Sequence, residues 1–222
     1  MTKKDDEKKA RILIVDDHPV VRYGLTQLIQ DEPDLAVCGE AADAGKALEL
    51  VQTLKPDLVL IDISLKGAGG MELIKAIKTQ NKWVKMLVHS MHDESLFAER
   101  ALHAGALGYV NKEEAQDKII EAIRQVLRGH IYLSGRMTER MMQRVMTGKG
   151  KIEESPISSL SDRELEVFEL IGKGLSTREI ADKLHLSVKT VETYRDHIKT
   201  KLGLDNNTEL IRQAILWTFE QS

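Results

Sequence analysis

From Arg11 to about Arg128, short β-branched and aliphatic runs alternate with segments of helical period. The runs are RILIVDD (11–17), LAVCGEA (35–41), DLVLID (57–62), KMLVHS (85–90) and LGYVNK (107–112). The third and fourth are apolar at nearly every position, as expected of parallel strands covered on both faces. Between and after them, helices are predicted over Val20–Gln30, Ala44–Leu54, Met71–Thr79, Glu94–Ala104 and Ala115–Arg128. Five strands alternating with five helices predict a doubly wound α/β domain with a five-stranded parallel sheet and right-handed crossovers. Any ligand should then bind at the carboxyl ends of the strands, near the point where strand order reverses.

After Gly129 the strand signal stops. A helix is predicted over Gly135–Met146, and Thr147–Ser159, rich in Gly, Lys, Glu, Ser and Pro, reads as a flexible linker. From Leu160 onward the pattern is helical. Ser161 with Glu164 is a capping-box spacing that opens SDRELEVFELIGKG, with Leu165, Phe168 and Ile171 on one face and glycines 172 and 174 at its end. Ser176 with Glu179 opens a second helix, Ser187 a third running to Lys201, and Asn207–Phe219 forms a fourth. At 222 residues the chain is long enough for two cores. The expected divisions are 11–130, a linker over 131–157 with one helix, and 158–222.

Composition narrows the class. Hydrophobic residues at 42% and charged residues at 30% are ordinary for a globular protein and exclude collagen-like, mucin-like or wholly disordered chains. The longest apolar runs, such as Ile12–Val15 and Leu58–Ile61, fall far short of a membrane helix, so no membrane role is expected. The opening MTKKDDEKKA lacks the apolar core of a secretory signal. A lone cysteine, Cys38, cannot form an intrachain disulfide and reads as core, so a reducing cytoplasm is the simplest compartment. The net charge of −3 gives no global pull toward nucleic acid, and any polyanion binding must be local.

The strand ends carry the candidate chemistry. The first run ends in Asp16-Asp17 and the third in Asp62, so three carboxylates distant in sequence should converge on one sheet edge. Gathering three carboxylates costs several kcal/mol in repulsion and desolvation unless a cation lies among them. Hard oxygen donors favour Mg²⁺, which keeps several waters and leaves room for a phosphate. The fourth run ends in the hydroxyl of Ser90 and the fifth in the cation Lys112. Such a site holds a metal and a phosphoryl group, and its nucleophile should be the carboxylate between metal and cation. A single Asp at a strand end is as often a turn former, but one suitable group at each of four strand ends, with an acidic pair on the first, is harder to dismiss.

With these residues in place, positions 11–130 resemble the receiver domain of two-component response regulators, a flavodoxin-like fold. The resemblance implies that Asp62 is the phosphoacceptor, that Asp16 and Asp17 form the metal pocket, and that the main-chain carbonyl of Ser64 is a further metal ligand. It also implies that Lys112 pairs with phosphoryl oxygens, that Ser90 is the switch hydroxyl and Tyr109 the switch aromatic, and that the donor is a sensor histidine kinase. Phosphorylation would draw the loop after Ser90 inward and let Tyr109 turn toward the interior. Two departures stand out: Lys66 replaces a proline common among relatives, and His92 lies near the path of an attacking water, where it would tune phosphoryl lifetime. His18 reads as a helix-start residue, and Gly67, Gly69 and Gly70 fit no nucleotide-binding loop.

In the carboxyl-terminal part, STREIADKLH, a short turn and VKTVETYRDHIKTKL have the lengths and punctuation of a helix-turn-helix. Ile180, Leu184, Val188, Val191, Ile198 and Leu202 supply a core face. Residues 158–222 hold nine basic and eleven acidic side chains, whereas 183–201 hold five basic against two acidic, so the basic surface is confined to the reading helix. The segment LSDRELEVFELIGKGLSTREIADKLHLSVKTVETYRDHIKTKLGL resembles the LuxR-type DNA-binding domain of NarL/FixJ response regulators, with Tyr194 where histidine is common. The resemblance implies that Glu192, Thr193 and Asp196 face base edges and that Lys189, Thr190, Lys199 and Lys201 contact phosphates, with Arg195 suited to either role. Leu210, Ala214, Ile215 and Trp217 correspond to a dimerisation helix, giving a homodimer on promoter DNA, or else only close the core.

The chain is therefore expected to be a phosphorylation-dependent DNA-binding transcription regulator and not an enzyme. An aspartyl-phosphate phosphatase is the opposing class, and it requires a second aspartate two positions after the nucleophile, where this chain has Ser64. A receiver with a protein-docking output is the other competitor.

Overall fold

The structure is a computed structural model that describes residues 9–65, 69–146 and 156–221. It divides into two compact units, Met1–Thr138 and Glu139–Ser222.

In the first unit, β1 (Ala10–Val15), β2 (Leu35–Ala41), β3 (Leu58–Ile61), β4 (Lys85–Ser90) and β5 (Gly108–Asn111) form one parallel sheet in the order β2-β1-β3-β4-β5. They alternate with α1 (Pro19–Gln30), α2 (Ala44–Leu54), α3 (Gly70–Gln80), α4 (Glu94–Ala104) and α5 (Gln116–Leu127). Strand order reverses between β1 and β3, and the crevice this creates is where Asp16, Asp17 and Asp62 emerge.

Burial explains the order. On one face of the sheet Ile12, Ile14, Leu58, Leu60 and Leu87 pack with Leu25 and Ile29 of α1 and Ile119, Ile123 and Val126 of α5. Leu13, Val59, Ile61 and Val88 alternate with them in sequence and are also buried, so the central strands have no solvent face. Local signals set the helix ends: Pro19 opens α1, the side chains of Asp43 and Asp93 cap α2 and α4, and α4 closes on Gly105 at positive φ. Cys38 is only half-buried, a departure from the expected core position.

One pairing was not foreseen. After α5 the chain returns along the outer edge of β5: the Tyr132 N–H donates to the Leu107 carbonyl at 3.0 Å, and the Tyr109 N–H donates to the Tyr132 carbonyl at 3.0 Å. Gly108 permits it, since a Cβ there would lie 2.8 Å from the Tyr132 carbonyl oxygen. The helix α6 (Gly135–Met146) follows. Of the expected linker, positions 147–155 lie outside the described residues, and Pro156–Ser159 form a 3₁₀ turn.

The second unit contains α7 (Asp162–Gly172), α8 (Thr177–Lys183), α9 (Val188–Leu202) and α10 (Asn207–Gln221). Both expected capping boxes are formed, at Ser161/Glu164 and Ser176/Glu179. The turn between α8 and α9 passes through His185 at φ 54°, and Ser187 caps α9 by accepting the Thr190 N–H at 3.0 Å. The helices pack through Phe168, Ile180, Leu184, Val191, Ile198 and Leu210, all buried. Val188, expected in this core, is instead 43% exposed, because it occupies the first helical position after the cap.

Candidate functional site

β1 and β3 deliver their carboxylates to one place. Ligand atoms of Asp16, Asp17, His18 and Asp62 lie within 4.8 Å of one another, and the three aspartates are buried. Lys112, arriving from the end of β5, places its Nζ 2.6 Å from Asp16 Oδ2 and 2.6 Å from Asp62 Oδ2. Burial works to lower the Lys112 pKa, but Asp62 and Asp16 outweigh it and hold the ammonium above its ordinary value. The largely buried Lys112 side chain thus pairs with two of the three buried carboxylates. The donor set, all oxygen apart from the His18 imidazole, fits a hard divalent cation.

The loop after β4 closes the other side. Ser90 is fully buried, and its hydroxyl accepts the His92 N–H at 3.4 Å. The His92 Nε2 lies 2.9 Å from the Ser64 hydroxyl, and the Ser64 N–H donates to Asp62 Oδ1 at 3.2 Å. The His92 carbonyl accepts the Tyr109 hydroxyl at 2.9 Å and the Asn111 amide at 3.3 Å. Tyr109, expected to turn inward on phosphorylation, is already buried in this structure, pinned by that carbonyl.

Other residues of the site carried weaker sequence signals. Arg22, one turn into α1, donates to the Asp16 carbonyl at 2.6 Å and pairs with Glu40 at 3.4 Å, steadying the backbone under the acidic pair. His18, expected only to start a helix, also brings Nδ1 to 2.8 Å from Asp17 Oδ1 and 3.3 Å from Asp16 Oδ1. A Cβ on Gly70 would collide with the Asp62 carbonyl and lie 2.7 Å from Ile63 Cα, so only glycine lets α3 begin against this strand end. A repeated glycine suggests a tight turn, but its contact with the strand bearing Asp62 shows only in three dimensions. Lys66 lies outside the described residues.

On α9, Lys189, Glu192, Thr193 and Asp196 are exposed, and Thr190, Arg195 and Lys199 are partly so. The Thr193 hydroxyl donates to the Lys189 carbonyl at 3.0 Å and Lys199 pairs with Asp196 at 3.0 Å. Lys201, expected to contact phosphate, here donates its Nζ to Glu164 Oε2 at 2.6 Å and to the Ser159 carbonyl at 3.2 Å. The expected dimerisation set also divides. Leu210 and Ala214 are buried, with the Ala214 backbone against Gly172 of α7, and the Trp217 ring meets Phe168 at a tilt with centroids 5.3 Å apart. Those three close the unit's own core. Ile215 is exposed, together with Ile211, Leu216 and Phe219.

Comparison with known proteins now bears on this geometry. Residues 12–124 match the response regulator receiver domain and residues 158–214 the luxR family of bacterial regulatory proteins. The chain belongs to the NarL/FixJ response regulators. It combines a receiver with a LuxR-type DNA-binding domain, the make-up of a transcription regulator. It is 35% identical over 205 residues to the response regulator GacA of Pseudomonas aeruginosa, covering 92% of this chain and 95% of GacA. It is also 35% identical over 209 residues to the oxygen regulatory protein NreC of Staphylococcus haemolyticus, covering 92% and 96%. Among solved structures, RcsB of Salmonella enterica serovar Typhimurium bound to promoter P1flhDC with the phosphomimetic BeF₃⁻ aligns with a TM-score of 0.61, at 25% identity over 93% of this chain and 98% of RcsB. Among the described residues no helix is long and apolar enough to cross a membrane.

Proposed function

We propose that this regulator is switched by transfer of a phosphoryl group from the phosphohistidine of a sensor kinase to Asp62. The observation that carries it is Lys112 Nζ, 2.6 Å from both Asp62 and Asp16 at the carboxyl edge of the sheet. In the transfer the P–N bond to the donor imidazole breaks, a P–O bond to Asp62 forms, and the donor nitrogen is left to take up a proton. Asp16, Asp17, Asp62 and the Ser64 carbonyl would hold Mg²⁺, which would supply neutralising charge for the transferring group. Lys112 then exchanges a carboxylate oxygen for a phosphoryl oxygen, and the Ser90 hydroxyl, now held against the His92 N–H, becomes available as a donor to the same group.

The output is promoter binding through α9, with Lys189, Thr190, Lys199 and Lys201 on phosphates, Glu192, Thr193 and Asp196 at base edges, and Arg195 between the two. Ile211, Ile215, Leu216 and Phe219 form one exposed apolar face of α10, suited to a second copy on DNA. Such a protein works in the cytoplasm, where kinase and promoter both lie, and it is a regulator rather than an enzyme. Incubation with Mg²⁺ and a small phosphodonor should label the wild type and leave Asp62→Asn unlabelled. Equal labelling of the two would overturn the assignment.

A further inference from the structure

The segment that leaves the receiver is bound back onto it beside the switch. Ser134 caps α6, with its hydroxyl accepting the Met137 N–H at 3.1 Å and its carbonyl accepting the Thr138 N–H at 2.9 Å. The Ser134 N–H itself donates, at 2.8 Å, to Oε1 of Glu94. Glu94 is the first residue of α4, two positions beyond His92. Two residues before Ser134, Tyr132 pairs with β5 on either side of Gly108. The start of α6 is thus held at two points, one on β5 and one on the first turn of α4.

We propose that Glu94 is a latch through which phosphorylation of Asp62 is passed to α6. Its connection to the site is continuous. Asp62 holds the Ser64 N–H, the Ser64 hydroxyl holds the His92 ring, and the His92 carbonyl gathers Tyr109 and Asn111 from β5. Asp93 then caps α4 by accepting the Ser95 N–H at 2.7 Å, so the loop and the first turn of the helix move together. A phosphoryl group on Asp62 that draws the Ser90–His92 loop toward it therefore displaces Glu94 relative to Ser134. Ser134, held through its backbone and side chain to one carboxylate, cannot follow both elements, and the contact that aligns the first turn of α6 is lost or remade. Burial holds the Glu94 pKa above its ordinary value, with the Ser134 hydroxyl and then the Ser134 N–H opposing that rise, as fits a carboxylate placed against this residue.

The inference rests on the reading of Asp62 as phosphoacceptor, and the test separates the two. Hydrogen–deuterium exchange of the full chain is followed over residues 132–138, with and without beryllofluoride and Mg²⁺, for wild type, Glu94→Ala and Glu94→Gln. In the wild type these amides should exchange about tenfold faster with beryllofluoride, the loss of one charge-assisted hydrogen bond. In Glu94→Ala they should exchange fast under both conditions, while labelling of Asp62 by a phosphodonor is unchanged. Glu94→Gln, which keeps an acceptor, should recover part of the basal protection. An unresponsive 132–138 segment in a wild type that labels normally overturns the latch and leaves the phosphoacceptor standing. A full response in Glu94→Ala also overturns it. A wild type that takes no label overturns both.

Discussion

Lys201 reaches from the last turn of α9 to Glu164 in the first turn of α7, with 2.6 Å between Nζ and Oε2. The same carboxylate oxygen accepts the Ser161 N–H at 2.7 Å, so one glutamate closes a capping box and anchors the recognition helix. Lys201→Ala and Glu164→Gln should each destabilise the helical unit by roughly 1 kcal/mol, a modest figure because the lysine is partly exposed. Calorimetric melting checks this. In DNA titrations at several salt concentrations, Lys189→Ala should lower the salt slope by about one. A similar fall for Lys201→Ala would show that the anchor releases its lysine to phosphate.

His89 precedes Ser90 on β4 and faces the opposite layer, in a cavity of about 170 Å³ lined also by Leu25, Lys112, Glu114 and Ile119. Burial, and then Lys112, push its pKa down from 6.5 to about 4, against the opposing pull of Asp62. The unfolded chain therefore takes up this proton near pH 6.5 and the folded chain only near pH 4, so stability falls as the pH drops through that interval. His89→Leu should flatten the fall by a few kcal/mol, read from urea unfolding at pH 7.5 and pH 4.5. Parallel pH profiles for the two proteins would remove His89 as the cause.

Gly70→Ala should destabilise the receiver by about 1–3 kcal/mol, because the added methyl collides with the Asp62 carbonyl and backbone cannot yield as a flexible side chain does. Denaturant unfolding measures the loss. Phosphodonor labelling of the folded fraction should also slow, since relief of the clash shifts the strand end that carries Asp62.

His92 is tethered at 2.9 Å to the hydroxyl of Ser64, whose N–H donates to Asp62 Oδ1. If its ring screens an acyl phosphate from water, His92→Ala should dephosphorylate about three- to tenfold faster, a barrier change of roughly 1 kcal/mol. Decay of the label in Mg²⁺ and after its chelation gives the rate. An unchanged rate would deny His92 any part in phosphoryl lifetime.

The receiver was legible because period and punctuation agree at almost every element. The apolar runs of β3 and β4 admit only a covered strand, and Asp43, Asp93 and Gly105 mark helix ends within a residue of where they fall. The convergence of Asp16, Asp17, Asp62 and Lys112 follows from parallel strands sharing one carboxyl edge. What escaped depends on distances between elements that no local pattern encodes. Leu210 and Ala214 have the spacing of an outward stripe as much as of an inward one, and the approach of α10 to Gly172 decides between them. Lys201 carries the same charge whether it meets a phosphate or Glu164. The return of Tyr132 to β5 occupies too few residues to give a strand signal.

That return also guards the molecule against itself. A parallel sheet ending in β5 would present a row of unsatisfied amides to any passing strand, and a few residues of the departing chain cover part of that row. Loosening this cover leaves more than a freed tether. It bares a template for pairing, so whatever next holds the departing segment must do so before another chain does.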